Sequence, residues 1–225
     1  MPSYSGVFTL QAQMQAIAAS NWPTFVPAIG SAFGGGFFAG QISTAGNGIA
    51  DYNLVIGPVA SAQNSSIQYK NANTATTGAD SDINGPQNTA DIVADGNSTV
   101  YPAAHFCNDL VIGGFSDWYM PAINELEICY YNLKPTTQAN NTLYGINPNA
   151  VPARASNYTS GNPAQTSATD FITSTGAEAF TANTYWASTE FAPTYAKQQY
   201  FTNGLLNANY KNASLRVRAV RRVAV

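Results

Sequence analysis

Charge is what this sequence has least of. Only 9% of its 225 residues are Asp, Glu, Lys or Arg, against about 25% in ordinary soluble domains. Asn, Thr, Ser, Gln and Ala stand where Lys and Glu usually would. A neutral surface of this kind suits a protein held in an assembly or exposed outside a cell. It suits a free cytosolic enzyme less well, because little net charge keeps such molecules apart. The formal net charge of −3 gives no electrostatic grip on nucleic acid. No apolar run reaches the roughly 18 residues of a membrane span. The start, MPSYSGVFTLQ, lacks the charged and apolar regions of a signal peptide. The expectation is a chain that stays in the cytoplasm or leaves by a route that needs no signal. Cysteine is scarce too: Cys107 and Cys129 are the only two. One pair makes no disulfide framework, and the apolar helical surroundings of both predict buried, reduced thiols. With a single histidine, His105, standing beside Phe106, no Ser/His/Asp or Cys/His constellation can be assembled. No cofactor is expected.

What is present is a large apolar fraction, 45%, enough for one sizeable core. Leu10, Met14, Ile17 and Ala18 share a helical face over residues 7–20, and Asn21-Trp22-Pro23 stops that helix. Residues 1–30 read as an N-terminal attachment segment, and 31–225 as the main domain. Strands are expected at 36–43, 52–58 and 66–70. Residues 71–98 read as polar turns. Helices are expected at 103–110 and from Pro121 to about Asn132. A long loop region over 134–167 follows, of the kind that carries function or wraps a neighbour. Strands at 184–189, 197–203, 205–210 and 214–223 close the chain.

The stretch GGFSDWYMPAINELEICYYNL, residues 113–133, offers two carboxylates for scrutiny. Asp117 and Glu125 could form a catalytic pair, but no nucleophile or histidine lies nearby. A structural account uses every residue. Pro121 suits the first turn of a helix. Glu125, three after Ala122, supplies half of a capping box and a negative charge at the positive helix end. Leu126 and Cys129 then point inward.

The order Ala103, Ala104, Cys107, Gly113, Gly114, Asp117, Trp118, Met120, Pro121, Glu125, Leu126 resembles the signature of the Lcl C-terminal domain family, named after a bacterial collagen-like adhesin. The run Tyr185-Trp186-Ala187-Ser188-Thr189-Glu190 and the final Val217-Arg218-Ala219-Val220-Arg221 resemble that family's closing signature. The similarity spans about residues 36–223. Two positions depart from it: Tyr119 replaces an Arg, and Ala122 replaces a Ser or Thr. The resemblance implies an α+β, C-type-lectin-like fold, with two helices packed on short, mainly antiparallel sheets, related to the formylglycine-generating enzyme and to diversified phage receptor-binding proteins. The N-terminal pattern GVFTLQAQMQAIAASNWP and the segment GGFFAGQIS resemble structural and tail-fibre proteins of marine tailed phages. A virion location follows from that second resemblance.

The remaining motifs divide between binding and structure. Asp80-Ser-Asp82-Ile-Asn84-Gly85, with Asn88 and Asp91, copies calcium-loop spacing, but its flanks are poor helices and Gln87 stands where an apolar residue belongs. A turn-rich Asx loop is expected instead. Arg216, Arg218, Arg221 and Arg222 alternate with Leu215, Val217 and Val223, so they read as a strand whose arginines bridge to Asp117, Glu125 or Glu190 rather than as a nucleic-acid patch. The stretch from Phe191 to Ser214 is dense in Tyr and amides, the mixture that paratopes use. Its candidates for ligand contact are Tyr195, Lys197, Gln199, Tyr200, Asn203, Asn207, Asn209, Tyr210, Lys211 and Asn212; an ordinary polar hairpin is the alternative. The expected function is a phage tail-fibre tip or exposed appendage that binds a host surface receptor, protein or glycan, without catalysis. Its expected partners are other virion proteins and further copies of itself, a trimer among the options, with no membrane insertion. A capsid or tail decoration protein is the second reading, and a formylglycine-generating-type enzyme the third.

Overall fold

The structure, a computed structural model, describes residues 26–225. The helix expected over 7–20 and most of the 1–30 attachment segment lie outside the described residues. The fold is α+β, with two five-stranded sheets and short helices. In the first sheet β1 (Ala32–Phe33), β2 (Gly36–Ile42), β3 (Tyr52–Ile56) and β10 (Val220–Ala224) lie in that order, and β5 (Ala150–Val151) pairs with β2. The second runs β4 (Gln63–Gln68), β9 (Ser214–Arg218), β6 (Thr184–Ala192), β7 (Tyr195–Tyr200) and β8 (Leu206–Tyr210). All ladders are antiparallel except the single β6–β9 pairing of Tyr185 with Arg216.

The strand expected over 214–223 is divided at Ala219, and each half serves a different sheet. Ala219 N–H donates to Ala62 O, and its carbonyl accepts from Gly57 N–H. Ala62 ends the one-turn helix α1 (Val59–Ala62). Ala219 is a small, fully buried residue flanked by the buried Val217, Arg218, Val220 and Arg221, so the chain passes from one sheet to the other without breaking its burial.

Helix α2 (Gly85–Asp95) stands where polar turns were expected. Its start is written in Asn84-Gly85-Pro86: Asn84 Oδ1 accepts the Gln87 N–H, and proline occupies the first turn, where its missing N–H costs nothing. Thr89 and Ile92 are buried. Helix α3 (Pro102–Asn108) and helix α4 (Ile123–Leu133) match the two expected helices to within a few residues at each end. Helix α4 is capped at its start by Ala122, which has no side-chain oxygen. Only the reverse half of the capping box forms, with the Ala122 N–H donating to Glu125 Oε2 at 2.8 Å.

Two buried clusters fill the molecule. One gathers Leu126, Cys129, Tyr130 and Leu133 of α4 with Ile42, Leu54, Phe180 and Phe201. The other gathers Trp118, Met120, Tyr101 and Cys107 with Tyr69, Trp186 and Val217. The two thiols are therefore buried and unbonded, as expected, in separate clusters. The loop from 134 to 167 is held by apolar anchors, Ala150 and Tyr158, and by polar ones. Lys134 Nζ, fully buried, donates to the carbonyls of Gln138 and Pro163, and Asn140 Nδ2 donates to Pro163 O.

Candidate functional site

Asp117 and Glu125 do not converge. Arg221 Nε and Nη2 fork onto the two Asp117 oxygens at 2.7 and 2.8 Å, a bidentate geometry that fixes orientation. The same guanidinium lies over the Phe115 ring, 3.8 Å from its centroid. That contact holds the turn in which Gly113 and Gly114 take φ of 62° and 82°. The hydrogen bonds from Arg221 hold the Asp117 carboxyl below the ordinary carboxylate range.

Glu125 is fully buried. Its oxygens accept from Tyr119 Oη, the N–H groups of Ala122 and Gly85, and Arg222 Nε. Burial pushes its carboxyl up, with the Arg222 charge pulling the other way. Gly85 is required by close approach, since a Cβ there would sit 2.2 Å from Glu125 Oε2. Tyr119, the departure from the family pattern, supplies the phenol that binds this carboxylate. Both acids are fold elements, each occupied by an arginine of β10.

A third acid was not singled out by the sequence. Glu127, one turn into α4 and almost fully buried, accepts from Arg154, Tyr158 Oη and Asn147 Nδ2. It locks the 134–167 loop to the helix. Its partners lie 20 to 31 residues along the chain, and no local pattern joins them.

The expected arginine partners need one correction. Arg218 bridges to Glu178 at 2.8 Å, not to Glu190, which instead accepts from Lys211 at 2.5 Å. The calcium spacing does not become a ligand shell. Asn88 is buried, accepting from Ser81 N–H and donating to Ser81 O, and Asp82 is bonded to Lys197 Nζ at 2.6 Å. Among the described residues no three His, Cys, Asp or Glu side chains are grouped to hold a metal.

The ten contact candidates fall in three groups. Tyr210, Asn207 and Asn212 are exposed, and Tyr195, Lys197, Tyr200, Asn203 and Asn209 are half-buried. Gln199 and Lys211 are fully buried, which removes them from a contact surface. Gln199 is buried against the alternation of β7, since Tyr195 and Lys197 on the same face are only half-buried; it stands opposite Leu206. Lys211 is turned in by Glu190, Thr76 Oγ1 and the Thr74 carbonyl. Asn207 and Asn209 have a local duty as well. Their Oδ1 atoms accept the N–H groups of Ala208 and Tyr210 at 2.9 Å each. Strand β8 is the outer strand of its sheet, and these bonds occupy donors that an edge otherwise leaves open.

One face of the hairpin opens on a cleft of about 340 Å³, lined by Asp82, Ile123, Asn124, Tyr144, Phe191, Lys197, Leu206, Asn207 and Ala208. It joins five separate parts of the chain: the 71–84 turns, the start of α4, the 134–167 loop, the end of β6 and the β7–β8 hairpin. Phe191 is 63% exposed at its rim. Of these residues only Lys197 and Asn207 were candidates. Tyr144 lies in the long loop already marked for function, and Phe191 opens the tyrosine-rich stretch. Ile123 and Asn124 carried no signal, because the helix start looked like packing alone.

These features define an α+β domain of mainly antiparallel sheets, closed by a strand whose arginines clamp acids from distant segments. The chain belongs to the Lcl C-terminal domain family, whose model matches residues 63–221. No curated protein matches the chain in sequence. The match begins just after α1, so β1, β2 and β3 of the first sheet precede it, while both halves of the closing strand enter it.

Proposed function

We propose that this protein is a non-enzymatic virion protein, a tail-fibre tip or other exposed appendage of a phage, that binds a host surface receptor through a C-type-lectin-like domain. Residues 1–30 would attach it to the particle, beside other virion proteins and further copies of itself. The observation that carries the proposal is the β7–β8 hairpin. It combines a stacked tyrosine pair, Tyr195 and Tyr210, with exposed amides at Asn207 and Asn212. Its mount is rigid: β6, buried over six consecutive residues from Thr184 to Thr189. Rigid aromatic and amide groups on such a frame suit recognition. The absence of a role in catalysis is supported by the acids themselves, since Asp117, Glu125 and Glu127 are each held by an arginine. The formylglycine-type alternative loses its support because Cys107 and Cys129 are buried in separate clusters.

A capsid or tail decoration role is favoured by one feature. Leu143 and Ile146 are 75% and 57% exposed, apolar surface that a neighbour in a particle would cover. Adsorption to host cells separates the two. A well-folded Tyr195→Ala, Tyr200→Ala, Tyr210→Ala triple variant should adsorb poorly if the hairpin binds the receptor. Unchanged adsorption would support the decoration role.

A further inference from the structure

The cleft beside the hairpin differs from the outer tyrosine surface in kind. It is concave, its lining is mostly apolar, and its size falls within the range of small-molecule sites, about 300–1,000 Å³. Phe191 and Tyr144 supply aromatic rings, Leu206 and Ala208 an apolar wall, and Asn124 and Asn207 amides. Its two charges, Lys197 and Asp82, are bonded to each other at 2.6 Å.

That pairing decides the class of ligand. A polyanion needs unneutralised cations, and the one cation of the lining already has its counter-ion. A purely apolar ligand would leave the amides and the ion pair facing it without compensation. What fits is an uncharged molecule with an apolar face for the rings and a hydroxylated edge for Asn124, Asn207 and the Lys197–Asp82 pair. A hexose or N-acetylhexosamine unit has that form: axial C–H groups on one face and hydroxyls around the rim.

A second observation concerns the layer behind the cleft wall. Gln199 follows Lys197 on the same face of β7 and stands opposite the cleft residue Leu206. Both its side-chain polar atoms are buried with no hydrogen-bond partner among the described residues. Buried amides are normally satisfied, so the layer behind Leu206 holds unused hydrogen-bonding capacity, while Gln199 itself is fully buried and does not line the cleft.

We propose that this cleft binds a neutral saccharide unit, without calcium and with little dependence on salt. This rests on the host-binding function proposed above and adds the cleft to the hairpin's tyrosine surface as a second contact. The probes are free hexoses and N-acetylhexosamines, with sialylated and sulfated sugars as charged controls, followed by NMR shift perturbation on the full chain in chelator. The expected result is saturable shifts at Phe191, Tyr144 and Lys197 with a neutral sugar. Phe191→Ala, a change at an exposed ring, should weaken them roughly tenfold, and raised salt should leave them in place. Shifts confined to charged sugars and abolished by salt would overturn the proposal. So would the absence of saturable shifts, or equal affinity in Phe191→Ala. Adsorption of the same variant separates the two claims. If wild type adsorbs to host cells and Phe191→Ala adsorbs equally, the cleft proposal falls while host binding stands. If wild type does not adsorb yet binds sugar at the cleft, the cleft stands and the host-binding function falls.

Discussion

Tyr195 and Tyr210 lie ring to ring across the β7–β8 hairpin, with centroids 4.6 Å apart and planes inclined by 29°. They face each other directly in the strand register, so they act as one unit. Cross-strand aromatic pairs contribute roughly 0.2–1 kcal/mol. Replacing either ring by Ala should therefore lower unfolding stability by less than about 1 kcal/mol, and the double variant should lose less than the sum of the two. A urea-denaturation double-mutant cycle reads this. Strict additivity would mean that the rings act independently.

Glu125 offers a larger effect. The sequence alone predicts a lost helix cap, on the order of 1 kcal/mol. The structure adds a buried ion pair with Arg222 and a hydrogen bond from Tyr119. Glu125→Gln places an amide N–H against donors and strands the guanidinium, so the expected loss is about 3 kcal/mol. Equilibrium unfolding measures it. A variant of wild-type stability that had lost a measurable turnover would reverse the structural assignment.

Asp117 should give the fold an acid dependence. Its carboxyl is held low in the folded chain by Arg221, while an unfolded Asp titrates near 3.9. The folded state therefore binds fewer protons in that range. The contribution is complete above about pH 5 and is lost as pH falls through the folded value, below about 4. Urea midpoints of wild type and Asp117→Asn should differ at neutral pH and converge toward pH 3. A gap that stays constant over that range would show that the Asp117 charge does not carry the stabilisation.

Cys107 and Cys129 should label slowly in the native chain and rapidly after denaturation, since burial raises both thiols well above their ordinary range and reaction requires the thiolate. An intact crosslink in freshly alkylated protein would contradict their placement in separate clusters.

The edge of the second sheet carries its own test. Because Asn207 and Asn209 occupy the N–H groups of Ala208 and Tyr210, replacing both by Val should free those donors and add β propensity. Concentration-dependent association by sedimentation is expected in the double variant. A variant as monodisperse as wild type would assign the asparagines no protective role.

The elements that the sequence made legible are those whose reasons are local. The closing strand showed in its alternation of arginine with valine and leucine, and helix α4 in Pro121 and Glu125. Helix α2 was hidden because its cap, Asn84, sits in a segment whose spacing also copies a calcium loop. The signal of Asn84 followed by Pro86 was present but shared with turns. The site was legible only along the hairpin. Phe191, Tyr144 and Asp82 meet Lys197 through contacts between distant segments, and residue type alone could not tell that Gln199 and Lys211 face inward. Glu127 and Arg154 show the same limit, since a buried pair joined only by folding leaves no periodic trace.

The division of the closing strand at Ala219 also has a meaning in time. Neither sheet has its full set of strands until residues 214–224 have been synthesised, because β9 stands between β4 and β6 and β10 completes the edge beside β3. The acids at 117, 125 and 178 wait for the same segment, having as their partners Arg221, Arg222 and Arg218. Pairings this distant in sequence form slowly, so on the ribosome the chain must pass most of its synthesis with both sheets open and its acids unneutralised. A low content of charge and a high content of amides keep that waiting chain polar without strong self-repulsion. The composition that first set this sequence apart is thus suited to the order in which the fold is completed.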